Sequence, residues 1–247
     1  MARSIYRITG RDREPFLQGV ITNDVGRLRQ GLVYAALLTP QGKYLADFFL
    51  VPEGGDSLLI DADAAQAEAL VRRLSMYRLR ADVTIEPTAI TVARGLGAPP
   101  PGAFADPRHP ALGWRLYGDD GATAEAPIDW DAIRVAHCIP ESGIELVPEE
   151  TYILEAGFER LNGVDFRKGC YVGQEVTARM KHKTELRKGL ATVAIEGSAP
   201  VGTEITADGR PAGRLCTQSG GRAIAWLRFD RAGGEMQAGE AVIRRLP

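Results

Sequence analysis

The chain has 247 residues, more than the commonest single-domain size, so two or three units are expected. At 45% hydrophobic, 25% charged and a net charge of −2 it has the composition of an ordinary globular protein, and this balance excludes a bulk nucleic-acid binder. No apolar run approaches the roughly 18 to 20 residues of a membrane span, and the N-terminus has no apolar leader core, so no membrane partner is expected. The three scattered cysteines, Cys138, Cys170 and Cys216, make neither a disulfide framework nor a four-thiolate metal site. A reducing, cytosolic location is expected from them.

Ser4 to Ile8 reads as a first strand, followed at Gly10-Arg11-Asp12 by a short helix through Phe16-Leu17-Gln18, with Asp12 as its N-cap. Val33 to Thr39 and Tyr44 to Val51 read as strands of a hairpin turned by Pro40-Gln41-Gly42-Lys43. A third strand at Leu58 to Ile60 is closed by Asp61. From Asp63 to Leu79, apolar residues at Ala67, Leu70, Val71 and Leu74 recur at helical spacing. Strands at Val83 to Ile85 and Ile90 to Ala93 complete an α+β pattern over 1–97.

Prolines 99 to 101, 107 and 110 mark 98–112 as a linker or irregular loop, because proline removes a donor and restricts its predecessor. A second α+β region, 113–188, opens with a strand at Gly113 to Tyr117 and continues with helices at Trp130 to His137 and Glu149 to Ala156. Another helix opens at Gly173 or Gln174, with Glu175 in its first turn, complementing the dipole. From 189 to 247, five short strands separated by Gly, Pro and Asp suggest a small β-barrel.

The chemistry concentrates at Lys168-Gly169-Cys170-Tyr171-Val172-Gly173-Gln174-Glu175 and the basic run behind it. Arg167 to Lys188 hold seven Lys/Arg against Glu175 and Glu185, a local balance of +5 in an acidic chain. Lys168 and the coming helix N-terminus both favour the thiolate of Cys170, and the flanking glycines permit a tight turn. Two readings stand on the residues alone: Cys170 is a reactive thiol, or it is a small buried hydrophobe. No spacing ties His137 or His182 to the thiol as a base, and His109, beside Pro110, reads as a surface loop residue. The cations of 179–188 read as a solvated helix face before they read as an RNA track.

The string Lys168 to Glu175, with Ala178-Arg179 behind it, resembles the hallmark of the YgfZ-type folate-binding proteins. That family is implicated in iron–sulfur cluster assembly and repair and is akin to the glycine cleavage T-protein, an aminomethyltransferase. The resemblance continues in Gly10-x-Asp12, Phe16 to Gly19, Thr22-Asn23-Asp24, Gly42 to Phe48, Asp106-Pro107-Arg108, Gly113-Trp114-Arg115, Arg134 and Pro140-x-x-Gly143-x-Glu145.

It implies a T-protein-like arrangement of ferredoxin-like α+β units around a central cavity with a C-terminal barrel. Tetrahydrofolate or a related folate would occupy that cavity, facing Arg134, Asp47, Gln18 and Asn23. Arg134 is similar to the T-protein arginine that meets the folate's carboxylates, though by itself it reads as a helix-surface arginine. Two departures stand out: T-proteins carry an adjacent acid pair where this chain has Ala46-Asp47, and the family's usual glycine is Thr184. Loss of an acid bears on proton transfer, so enzymatic turnover is left open.

The function expected is a folate-binding accessory factor serving iron–sulfur client or assembly proteins, with Cys170 as reactive thiol or transient ligand. A folate-dependent, aminomethyl-type transferase is the alternative, and a tRNA-modification factor using 167–188 the third, so nucleic acid ranks last among the partners.

Overall fold

A computed structural model describes residues 2–118, 127–183 and 185–246; Thr184 lies outside the described residues. The chain divides into two units that interleave along the sequence: Met1–Ile128 with Phe158–Ala178, and Asp129–Gly157 with Arg179–Pro247.

In the first unit, β1 (Arg3–Thr9) leads into α1 (Arg13–Val20). Asp12 occupies the N-cap position but makes no capping bond. Its carboxylate instead accepts the Asp82 backbone N–H at 2.8 Å, so the expected cap is corrected to a long-range tie. The hairpin forms as expected from β2 (Val33–Leu38) and β3 (Tyr44–Gly54), antiparallel about the Pro40–Lys43 turn. β4 (Ser57–Asp63) runs past Asp61, where the sequence suggested an end. The strand tolerates this buried acid because arginines neutralise it, as described below.

Asp63 caps α2 (Ala64–Arg78) by accepting from Ala65 N at 3.0 Å. Ala67, Leu70 and Leu74 face the core, as their spacing predicts. With β5 (Thr84–Pro87) the sheet order is β2-β3-β4-β1-β5. Its core joins Ile8, Leu17, Leu37, Phe48, Leu50 and Ile60 to the inner face of α2. β6 (Thr91–Gly95), β7 (Phe104–Ala105) and β8 (Trp114–Gly118) make a second sheet, so the proline-rich segment 98–112 contributes a short strand.

In the second unit α3 (Trp130–His137) has the expected bounds. The helix expected over Glu149–Ala156 is replaced by turns. Glu149 adopts a left-handed φ of 65°, and the Thr151 hydroxyl takes the Val147 N–H at 3.0 Å, which diverts the backbone from a helical ladder. α4 (Gln174–Lys183) opens where expected, in the first unit, and runs on past Ala178 into the second.

β9 (Lys188–Glu196), β10 (Glu204–Ala207), β11 (Arg210–Ser219), β12 (Arg222–Arg228), β13 (Glu235–Ala238) and β14 (Ala241–Arg245) close into a barrel in the order β10-β11-β12-β9-β14-β13. Closure leaves no unpaired edge. Val193, Ile205, Leu215, Ala225, Met236 and Ile243 fill the interior. β13 was not expected, because Met236 and Ala238 are its only buried positions.

Candidate functional site

The turn at 168–173 is held to the first unit by backbone-directed bonds. The Thr22 hydroxyl donates to Gly163 O at 2.7 Å, and Asn23 Nδ2 donates to Tyr34 O at 2.8 Å and Asn162 O at 2.7 Å. Gln18 Nε2 donates to Lys168 O at 3.0 Å, while its Oε1 accepts from Val25 N at 2.9 Å. The Gln18 amide therefore holds the motif at Lys168, while Asn23 ties Asn162, ahead of the motif, to β2. Lys168 reaches back: its Nζ donates to Gln18 O at 2.5 Å and Ile21 O at 2.8 Å, at the C-terminal end of α1, where a cation complements the dipole.

Gly42 and Gly173 lock this turn against the β2–β3 hairpin. Both have positive φ, 76° and 82°. A Cβ on Gly173 would lie 2.6 Å from Thr39 O, and one on Gly42 would lie 2.9 Å from Val176 Cβ. Tyr171 N donates to Gln174 Oε1 at 3.3 Å, closing the turn onto the first residue of α4.

Cys170 stands exposed on the turn, so the reading as a small buried hydrophobe is set aside. Beside it the Lys168 amine lies 4.9 Å from the centroid of the Tyr171 ring. Burial pushes that amine down to about 8, against the pull of Asp24 and Asp165. Burial pushes the Tyr171 phenol up to about 12. Its hydroxyl is buried with no hydrogen-bond partner among the described residues; the nearby Thr177 hydroxyl, which pulls slightly against that rise, donates to Gly173 O at 3.2 Å. Cys216, by contrast, is buried, and burial raises its thiol to about 12. Among the described residues, no group of three or more His, Cys, Asp or Glu could hold a metal ion. Gly169 and Glu175 are exposed on the turn and on the first turn of α4, and Arg179 is exposed further along that helix.

Asp47 is buried in β3. Its carboxylate accepts the Tyr44 hydroxyl at 2.6 Å and the Tyr34 hydroxyl at 3.0 Å. Neighbouring Ala46 lies in the hydrophobic core, because alternate strand residues face opposite sides. An acid at that position would sit among core side chains.

Arg134, in the second unit, is buried and not on the helix surface. Its Nη2 meets Glu145 Oε2 at 2.6 Å, its Nη1 meets Asp131 at 2.8 Å and Glu141 at 2.6 Å, and its Nε donates to Ile139 O at 3.2 Å. Glu145 also accepts from the Thr217 hydroxyl at 2.6 Å and backbone N–H at 3.1 Å.

Sequence reasoning missed a second buried charge cluster, in the first unit. Arg115 and Arg3 meet Asp61 at 2.8 and 2.6 Å, Tyr117 donates to Asp61 at 2.7 Å, and Arg108 grips Asp106 at 2.8 and 3.0 Å. Burial alone would raise the Asp61 carboxyl, but the guanidiniums of Arg115 and Arg3 outweigh it and hold it below its usual range. Asp106-Pro107-Arg108 and Trp114-Arg115 were the visible signal of this cluster. Nothing in their spacing revealed Asp61 as the partner.

Three comparisons bear on this geometry. Residues 187–246 match the family model of the CAF17 C-terminal beta-barrel domain. The mitochondrial iron–sulfur cluster assembly factor IBA57 of Mus musculus is 32% identical across 95% of this chain and 78% of its own length. The Homo sapiens counterpart is 31% identical with the same coverage. The crystal structure of glycine cleavage system aminomethyltransferase T from Bartonella henselae superposes with a TM-score of 0.75 over 99% of this chain and 82% of that one, at 14% identity. The T-protein-like fold expected from the motif is therefore present.

The cytosolic location expected from the sequence is corrected by these relatives, which are named as mitochondrial. The cysteines behind that expectation are free, which fits any reducing compartment. Among the described residues no helix is long and apolar enough to cross a membrane. The identity and coverage of the IBA57 relatives, together with the Lys168–Glu175 string, establish that the chain belongs to the YgfZ-type family of IBA57 iron–sulfur cluster assembly factors.

Proposed function

We propose that this protein supports the assembly or repair of iron–sulfur proteins, presenting Cys170 to a client or assembly partner. The observation that carries the reading is an exposed thiol on a turn that Lys168, Gln18 and the two close glycines hold in place. Iron–sulfur clusters take about four thiolate ligands. A cluster met at Cys170 would therefore be shared with thiolates of the partner and handled as cargo.

Folate is the ligand the T-protein-like fold suggests. The unpartnered Tyr171 hydroxyl fits a polar ligand beside the motif. Asp47, Gln18 and Asn23 already hold in-chain partners, so their part in this reading is to shape the surface near the motif. Arg134 already holds Asp131, Glu141 and Glu145, so a carboxylate ligand would bind it only by displacing one of them, Asp131 being the most exposed.

Two measurements test the proposal. In cells lacking the native gene, Cys170→Ala is expected to leave cluster-dependent enzymes impaired; full activity would remove the thiol from the mechanism. Calorimetric titration of tetrahydrofolate and folinate into the purified protein is expected to show saturable binding, and its absence would end the folate reading.

The second reading, an aminomethyl-type transferase, is favoured by the fold and opposed by Ala46 in the core. Enzyme-like turnover with tetrahydrofolate and an aminomethyl donor would establish it in place of the accessory role.

A further inference from the structure

The outer face of α2 carries features that its own fold does not use. Met76 and Leu79, 64% and 87% exposed, are two of four large hydrophobics that stand in solvent among the described residues. Leu79 ends the helix at φ 49°, ψ −107°, a region that suits glycine and is a genuine outlier for a branched side chain. A strained backbone that turns a leucine into water gives this chain no packing in return.

The stretch 68–82 that holds the two apolar side chains carries four arginines, Arg72, Arg73, Arg78 and Arg80, against two carboxylates, Glu68 and Asp82, in a chain whose net charge is −2. Arg72 is bonded to Glu68 at 2.7 Å, and Arg78 donates to Val83 O at 2.9 Å. Arg73 and Arg80 enter no ion pair among the described residues, which leaves two cations beside the exposed pair.

We infer that the C-terminal end of α2 is a docking surface for a protein segment that brings an apolar residue onto Met76 and Leu79 and acidic residues onto Arg73 and Arg80. An apolar anchor inside a charged rim is the usual anatomy of a specific protein contact. Charge complementarity selects an acidic partner and speeds its encounter. Two apolar side chains give little purchase in a lipid surface. This surface stands on its own observations, apart from Cys170 and from folate.

The test places a photo-crosslinking amino acid, benzoylphenylalanine, at Met76 in living cells. Val201, 58% exposed in the other unit, serves as the control position. Adducts are mapped to the linked residue by peptide mass spectrometry. The expected result is a protein adduct in a segment where Asp and Glu flank an apolar residue. Its yield should fall at least about tenfold in the R73E/R80E double variant and return when the partner's acids are changed to lysine. Four results would overturn the inference: a yield at 76 no higher than at 201, adducts on lipid or on a second copy of the chain, linkage to neutral or basic segments, or indifference to charge reversal. Thermal unfolding of R73E/R80E is expected to match the wild type. If it unfolds earlier, M76S/L79S, which keeps the charges, replaces it in the same assay with crosslinking from Ser75.

Discussion

Arg134 and Lys168 are both cations drawn below the surface, one in each unit, and they are satisfied in opposite ways. Arg134 is enclosed by three carboxylates, so its charge is matched within its own unit. Lys168 is held by two backbone carbonyls and an aromatic ring, forms no ion pair among the described residues, and burial lowers its pKa to about 8 against the pull of Asp24 and Asp165. The first arrangement ties a helix to a barrel strand and is a structural element. The second leaves a responsive amine beside an exposed thiol and an unpartnered phenol, which is how a chain keeps a surface available for something outside itself.

The difference is broken most forcefully from the Arg134 side. Arg134→Met leaves Glu145, fully buried, without its cation, and a loss of about 3–5 kcal/mol in unfolding free energy is expected from denaturant titration. A loss below about 1 kcal/mol would show the cluster to be dispensable. Gly173→Ala forces a side chain into positive φ against Thr39 O, and about 2–3 kcal/mol is expected in the same assay, with slower turn closure and no change at the barrel.

Tyr171→Phe tests the opposite sign. Removing a buried hydroxyl that has no partner is expected to stabilise the isolated protein by about 1 kcal/mol. Should thermal unfolding come earlier in this variant, the hydroxyl has a partner and the openness of the motif is overstated.

The smallest effect is a pH dependence. Lys168 has a folded pKa of about 8 against its usual 10.5, so between these values the unfolded chain binds more protons. Stability contributed by this group therefore rises as pH increases through that window. Because the amine is only half-buried, screening keeps the rise below about 1 kcal/mol. Lys168→Met should flatten the difference in unfolding free energy measured from pH 7 to 10.5, and an unchanged slope would count against the buried amine.

Local signals in the sequence carried most of the fold. Trp130–His137 and the inner face of α2 were legible because helical periodicity is a property of neighbouring residues. Glycine and proline punctuation likewise exposed the barrel, apart from β13 with its two buried positions. What could not be read was pairing over distance. Asp61 ended the expected strand because an acid in a core strand is costly. Its neutralising partners, Arg3 and Arg115, are 58 and 54 residues away.

The candidate site was legible for a similar reason. Lys168–Glu175 is contiguous, so its composition announced it. Whether the amides of Gln18 and Asn23 face a ligand or the backbone depends on a segment roughly 140 to 150 residues further along. The turn expected as a helix at Glu149–Ala156 hinged on a single left-handed residue, Glu149, which carries no compositional mark.

The interleaving of the two units has a consequence for synthesis. The thiol turn belongs to the unit that starts at Met1, yet residues 129–157 of the other unit are made before it. A nascent chain can assemble the β2–β3 hairpin and α2 early, but the hairpin's glycine keeps an empty neighbour until Gly173 and Val176 leave the ribosome. Cys170 is therefore among the last parts of the first unit to be laid in place. A chain halted before residue 170 holds every strand of the five-stranded sheet but not Cys170, so the exposed thiol appears only once its own scaffold is ready to hold it.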